Sequence, residues 1–140
     1  METGASLADI RKVDLPQIIN TKGNLTFVEQ FNHIPFKVRK VAWLYGIPGG
    51  EGLEGYAVRS TEQFIIALSG NVDVVLNDGK EQAEFSLDRP YEGLYIPPMI
   101  WRKIEKFSTN SLAMILSSKD DDENEYISAF ESFRSLKNNG

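Results

Sequence analysis

GYAVRSTEQFIIALSGNVDVVLNDG, residues 55–79, holds two short runs of β-forming residues, 63–70 and 71–77, closed by Asn77-Asp78-Gly79. The runs are rich in Ile, Val and Phe, partly alternate between apolar and polar residues, and are too short for helices, so they are expected to be strands. Asp and Gly tolerate positive φ, which makes Asn77-Asp78-Gly79 the signal for a tight type I′ hairpin turn. The fold class follows from this hairpin and from how often its pattern recurs.

Residues 25–29 (LTFVE), 36–46 (FKVRKVAWLYG), 93–97 (GLYIP) and 111–117 (SLAMILS) carry the same strand signature. Residues 20–24, Asp88-Arg89-Pro90 and Ser108-Thr109-Asn110 read as turns between them. Many short strands at spacings of roughly 8 to 12 residues predict an all-β antiparallel sandwich or barrel. One helix is expected, over 125–136, where Ile127, Phe130 and Phe133 recur at spacing three with Tyr126 and Leu136 alongside. The acidic run Asp120-Asp121-Asp122-Glu123 lies at the start of that helix and complements its dipole.

With 140 residues, 41% of them hydrophobic, the chain suits one domain with a sizeable core, spanning 1–140. Its longest apolar runs fall far short of the roughly 20 residues that cross a bilayer. Met1 to Gly4 has no basic stretch leading into an apolar one, so no signal peptide is read there and a cytoplasmic protein is expected. A net charge of −5 argues against nucleic acid or an anionic membrane as partner. There is no cysteine, which excludes disulfides and thiolate metal sites.

A mononuclear metal site in such a barrel needs two or three histidines and a carboxylate, and His33 is the only histidine, beside a turn-forming Asn and one residue from a Pro. No metal and no cofactor are expected. The same scarcity removes a Ser-His-Asp arrangement. The glycine-rich stretch 45–55 joins strand to strand, contains two Glu and lacks the Lys-Ser/Thr ending of a phosphate loop, so it reads as a flexible connection at the barrel mouth.

Residues 55–79 resemble the matching stretch of the nucleotide-sugar 3,4-ketoisomerases (FdtA/WxcM-like), cupin enzymes that convert dTDP-4-keto-6-deoxyglucose to 3-keto isomers. The likeness extends to IPFKVRKVAWLYG, NTKGNL, LDRPYEGLYIPPMIWRKIEKFS and ENEYISAFESF, nearly the whole chain. It implies a cupin, RmlC-like jelly-roll β-barrel with a C-terminal helix, and a homodimer. It also locates departures. The family carries Gly-His-Ala-His where this chain has Gly55-Tyr56-Ala57-Val58, and the family's assisting tyrosine falls on Ala42, with Trp43 beside it.

Moving a keto group to the adjacent sugar carbon requires a base that removes a proton α to the carbonyl and returns it to the neighbour. Histidine, near pKa 6.5, suits this; tyrosine, near 10, does not, and valine transfers no proton. Tyr56 and Glu62 are the residues left as substitute bases. Fixed positive charge for a nucleotide diphosphate is available at Lys22, Arg39, Lys40, Arg59 and Arg102, with Gln63 and Trp101 on the same segments. Alternation along a strand prevents Arg39 and Lys40 from both facing inward. The resulting expectation is a cupin that binds a dTDP-linked keto sugar or another nucleotide sugar and lacks the family's standard acid-base pair. Two alternatives stand beside it: an active isomerase working through Tyr56 or Glu62, and a non-catalytic partner of an active paralogue or a generic carbohydrate-binding cupin.

Overall fold

The computed structural model describes residues 5–139; Met1 to Gly4, read above as no leader, lie outside them. Its strands are β1 (Arg11–Asp14), β2 (Gln17–Asn20), β3 (Gly23–Thr26), β4 (Lys40–Leu44), β5 (Ala57–Val58), β6 (Gln63–Ser69), β7 (Val72–Asn77), β8 (Gln82–Leu87), β9 (Glu92–Ile96), β10 (Trp101–Glu105), β11 (Leu112–Ser117) and β12 (Tyr126–Ile127), followed by helix α1 (Phe130–Asn139). One sheet has five antiparallel strands in the order β1-β9-β6-β11-β4. The other runs β10-β7-β8. A bridge between Tyr56 and Arg102 joins the pair β12-β5 to its β10 edge. An all-β fold with a C-terminal helix results, as the strand pattern predicts, and its cupin-like form is what the resemblance implies.

Strand β6 explains how the layers stack. From Gln63 to Ala67 every residue is buried, so both faces of the strand are covered. Ile65 and Ala67 pack with Val72, Val74, Leu76, Ile104 and Ala113 between the two sheets. Phe64 and Ile66 pack on the opposite face with Leu15, Ile34, Phe36 and Tyr95. The Phe64 ring lies over Gly93 on the neighbouring strand, where an added Cβ would stand 2.0 Å from a ring carbon. Only a residue without a side chain lets that ring into the layer.

Several elements differ from the expected ones. The turn after Asn77 spans four residues, 78–81, because the Asp78 carboxylate accepts from the amides of Lys80 and Glu81 and holds a wider loop. The helix begins at Phe130 rather than 125. Ile127 lies three residues before Phe130 and joins the same apolar cluster as Phe133, but it does so from strand β12, which imitates a helical stripe in the sequence. Of the acidic run, Asp122 caps the short 3₁₀ turn Glu123–Glu125 instead of the helix. The glycine-rich connection is pinned along β10 by bonds such as Leu53 N–H to the Ile104 carbonyl, and Gly55 lies against the Trp101 indole. No described helix is long and apolar enough to cross a membrane.

Candidate functional site

The space between the sheets is apolar along most of its length and turns polar at one end. Alternation on β6 aims Gln63 inward with Ile65 and Ala67, and alternation on β11 aims Ser117 inward with Ile115. On β10, Arg102 points the same way as Ile104. Tyr56 and Arg102 exchange both backbone hydrogen bonds, at 2.9 and 2.8 Å, so they are directly opposed across the strands and their side chains share a face. Ala57, between Tyr56 and Val58, faces the other way and packs against Ile127 and Phe133 beneath α1.

Arg102 is fully buried. It donates from Nη1 to Gln63 Oε1 at 2.7 Å and from Nη2 to the Ile100 carbonyl at 2.8 Å, and its guanidinium carbon stands 5.4 Å from the Tyr56 ring centre. Its Nε is buried with no partner among the described residues, and none of their ion pairs includes it. Burial pulls its pKa below the ordinary arginine value, with the nearby phenols of Tyr56 and Tyr126 acting against that. A cation held in a protein interior without a carboxylate is unfavourable unless something else compensates it.

Gln63 ties the cluster together. Its Oε1 also accepts from the Tyr56 hydroxyl at 3.2 Å, and its Nε2 donates to Ser117 Oγ at 3.3 Å. Lys40 reaches the same end from β4. Ser117 pairs with Lys40 and Ala113 with Leu44, which packs on the core between the sheets, so Lys40, Ala42 and Leu44 share the inner face. Lys40 Nζ donates to Asp121 Oδ1 at 2.8 Å and to the Tyr126 hydroxyl at 3.3 Å. The Asp121 contact raises the Lys40 pKa and holds the Asp121 carboxyl below its usual range.

Tyr56, Gln63, Arg102 and Lys40 are thus brought together, and the other candidates are not. Glu62 faces the outer side of β6, where it accepts from the Tyr95 hydroxyl at 2.7 Å, and burial followed by that carboxylate raises the Tyr95 pKa. Arg39 turns outward to Asp120. Trp101 packs its indole on Phe130 and Phe133 under α1, on the face opposite Arg102. Arg59 stays on the rim, donating to the Asn124 carbonyl. Lys22 lies in the exposed turn of the β2–β3 hairpin. Among the described residues no three His, Asp or Glu side chains are placed to hold a metal ion.

Tyr126 and Ser117 belong to the polar end and escaped the sequence reading. Tyr126 adjoins the helical stripe in the sequence, but on β12 it faces inward, with its ring centre 5.4 Å from that of Tyr56. The Glu125 carboxylate fastens this strand to the loop after β5, accepting from Ser60 N–H, Ser60 Oγ and Thr61 Oγ1. Burial alone would raise the Glu125 pKa, but these hydrogen bonds outweigh it and hold the group below its ordinary value.

Residues 8–138 match the family described as FdtA: WxcM-like, C-terminal. The chain belongs to that family. It is 32% identical over 122 residues, 87% of this chain and 88% of the relative, to a TDP-4-oxo-6-deoxy-alpha-D-glucose-3,4-oxoisomerase of Aneurinibacillus thermoaerophilus. Its fold is similar to that of the TDP-quinovose 3,4-ketoisomerase WlaRB of Campylobacter jejuni, with a TM-score of 0.88, 29% identity and coverage of 92% of this chain and 99% of that one. It is also similar to the 3,4-ketoisomerase QdtA of Thermoanaerobacterium thermosaccharolyticum, whose histidine-to-asparagine variant was solved with TDP-4-keto-6-deoxyglucose; there the TM-score is 0.91, the identity 25% and the coverage 96% and 97%. In this FdtA/WxcM-like chain, Tyr56, just before β5, and Val58 on it share the inner face beside Gln63 and Arg102.

Proposed function

We propose that this chain is a single cupin domain of the cytoplasm that binds a dTDP-linked keto sugar at the polar end between its sheets and does not isomerise it at the family's rate. The observation that carries the reading is Arg102: a fully buried guanidinium with an unpartnered Nε and no carboxylate, next to Gln63 and Tyr56. A charge kept there against its desolvation cost suits a site whose ligand supplies acceptors or negative charge. Lys40 adds a second cation at the mouth. Two of the similar solved structures hold TDP or a TDP-sugar. Against catalysis stand Tyr56 and Val58, at the positions where the family resemblance sets two imidazoles.

Titration with TDP-4-keto-6-deoxyglucose should raise the melting temperature progressively once its concentration exceeds Kd, about 2.7 kcal/mol of stabilisation at 100 times Kd. The absence of any shift with TDP or TDP-hexoses at millimolar concentration overturns the nucleotide-sugar reading in favour of a partner protein or generic carbohydrate binder.

We further infer that the chain works as a homodimer. Ile18, Ile19, Leu25 and Phe27 on or just after the β2–β3 hairpin, and Val41, Trp43 and Tyr45 on the outer side of β4 and just beyond it, are all exposed. Of these, Leu25, Phe27 and Val41 line an outer-face groove of about 690 Å³ floored by Ile66, Leu68, Met114 and Leu116. Exposed apolar side chains grouped beside such a groove mark a surface suited to protein–protein contact. Strand β4 is also an edge with an unpaired side. Light scattering should return twice the chain mass, and Trp43→Glu should return the chain mass. A monomeric wild type at micromolar concentration removes the dimer.

A further inference from the structure

We propose that Tyr126, oriented by Lys40, is the residue that hydrogen-bonds the sugar of the bound nucleotide sugar, standing over the position that Val58 leaves without a polar group. The proposal rests on the nucleotide-sugar reading above. On the paired strands β5 and β12, Tyr126 is directly opposite Val58. Side chains opposed in this way stand on one face with Cβ atoms about 5 Å apart; Val58 is buried and Tyr126 is half-buried, so a ligand entering this end meets the phenol.

Hydrogen-bond accounting separates the two phenols. The Tyr56 hydroxyl spends its hydrogen on Gln63 Oε1 at 3.2 Å. The Tyr126 oxygen accepts from Lys40 Nζ at 3.3 Å, which leaves its own hydrogen to give away. That hydrogen points to Asp121 Oδ1 at 3.5 Å, a longer and weaker bond than the 3.2 Å one from Tyr56 to Gln63. Asp121 is exposed and committed to Lys40 at 2.8 Å. A ketone or hydroxyl oxygen of a sugar seated within about 3 Å is the closer partner for that hydrogen, while Lys40 fixes the direction in which it points. Tyr56 packs beside it, ring centres 5.4 Å apart, and the side-chain hydrogen bonds of Tyr56 and Arg102 go to Gln63 and the Ile100 carbonyl, not to an acidic group.

Tyr126→Phe keeps the ring contact with Tyr56 and deletes only the hydroxyl, so calorimetric titration with two probes isolates its role. For TDP-4-keto-6-deoxyglucose the variant should raise Kd roughly 5- to 10-fold, as loss of one hydrogen bond implies. For TDP, which has no sugar beyond the diphosphate, Kd should stay within about twofold. Lys40→Met should weaken the keto sugar as well, since it frees the phenol to turn. An unchanged Kd for the keto sugar, or equal weakening of both probes, overturns the assignment. Wild type that binds neither probe overturns the nucleotide-sugar reading itself, and the role of Tyr126 falls with it. Should Tyr126→Phe melt below the titration temperature, Tyr126→Leu, which likewise has no donor at this position, carries the same comparison between probes.

Discussion

Wild-type protein incubated with TDP-4-keto-6-deoxyglucose will form the 3-keto isomer on the order of 10²- to 10⁴-fold more slowly than a histidine-bearing relative, the share of rate that positioned acid-base groups supply. The reaction takes a proton from the carbon beside the ketone, passes through an enediol and returns a proton to the neighbouring carbon. An imidazole titrates close to the working pH, whereas a phenol near 10 is almost wholly protonated at neutrality and a valine exchanges nothing. Tyr56 also donates its hydrogen to Gln63, in contact with buried Arg102. Tyr56→His combined with Val58→His should recover measurable turnover, helped by Ala42→Tyr on the inner face of β4. Glu62→Gln should change nothing, because that carboxylate is engaged with Tyr95 on the outer face. Proton NMR of the product decides the matter: wild-type turnover at a relative's rate, lost in Tyr56→Phe, sinks the view that this chain binds without isomerising.

Arg102→Met will leave the protein as stable as wild type or up to about 2 kcal/mol more stable, and will abolish the ligand-dependent rise in melting temperature. Methionine fills much of the same volume with no charge to desolvate. The loss of the hydrogen bond to the Ile100 carbonyl offsets part of the gain, and Gln63 Oε1 keeps the Tyr56 hydroxyl as donor. A change of this size moves the melting temperature by at most roughly 4 to 8 °C in a chain of this length. Stability gained as binding disappears is the signature of a group retained for its ligand. A melting temperature lowered by more than 5 °C with the ligand shift intact would mean that the guanidinium serves the fold instead.

The strand positions around 63–77, 93–97 and 111–117 were legible because both their apolar content and their punctuation are local properties of the chain. Helix α1 was legible from Phe130 onward, and its start was misplaced because Ile127 reaches the same cluster from a strand. The family, and with it the fold, was also carried by sequence, as was the composition of the candidate site in part: Tyr56, Gln63, Arg102 and Lys40 were all among the residues singled out. Their alternation specifies two faces, but not which face looks inward. On β4 the hydropathic pattern is reversed, with Lys40 and Ala42 turned inward while Val41 and Trp43 stay in water. Only pairing decides this, since β4 takes its facing from its register with β11, and β11 from β6. The same register turns Glu62 away from Gln63, its neighbour in the chain. It also takes pairing across 68 positions of sequence to set Tyr126 opposite Val58. Sequence determined which residues could form strands and which carried charge; long-range hydrogen-bonded register, invisible to any local window, decided which of them meet.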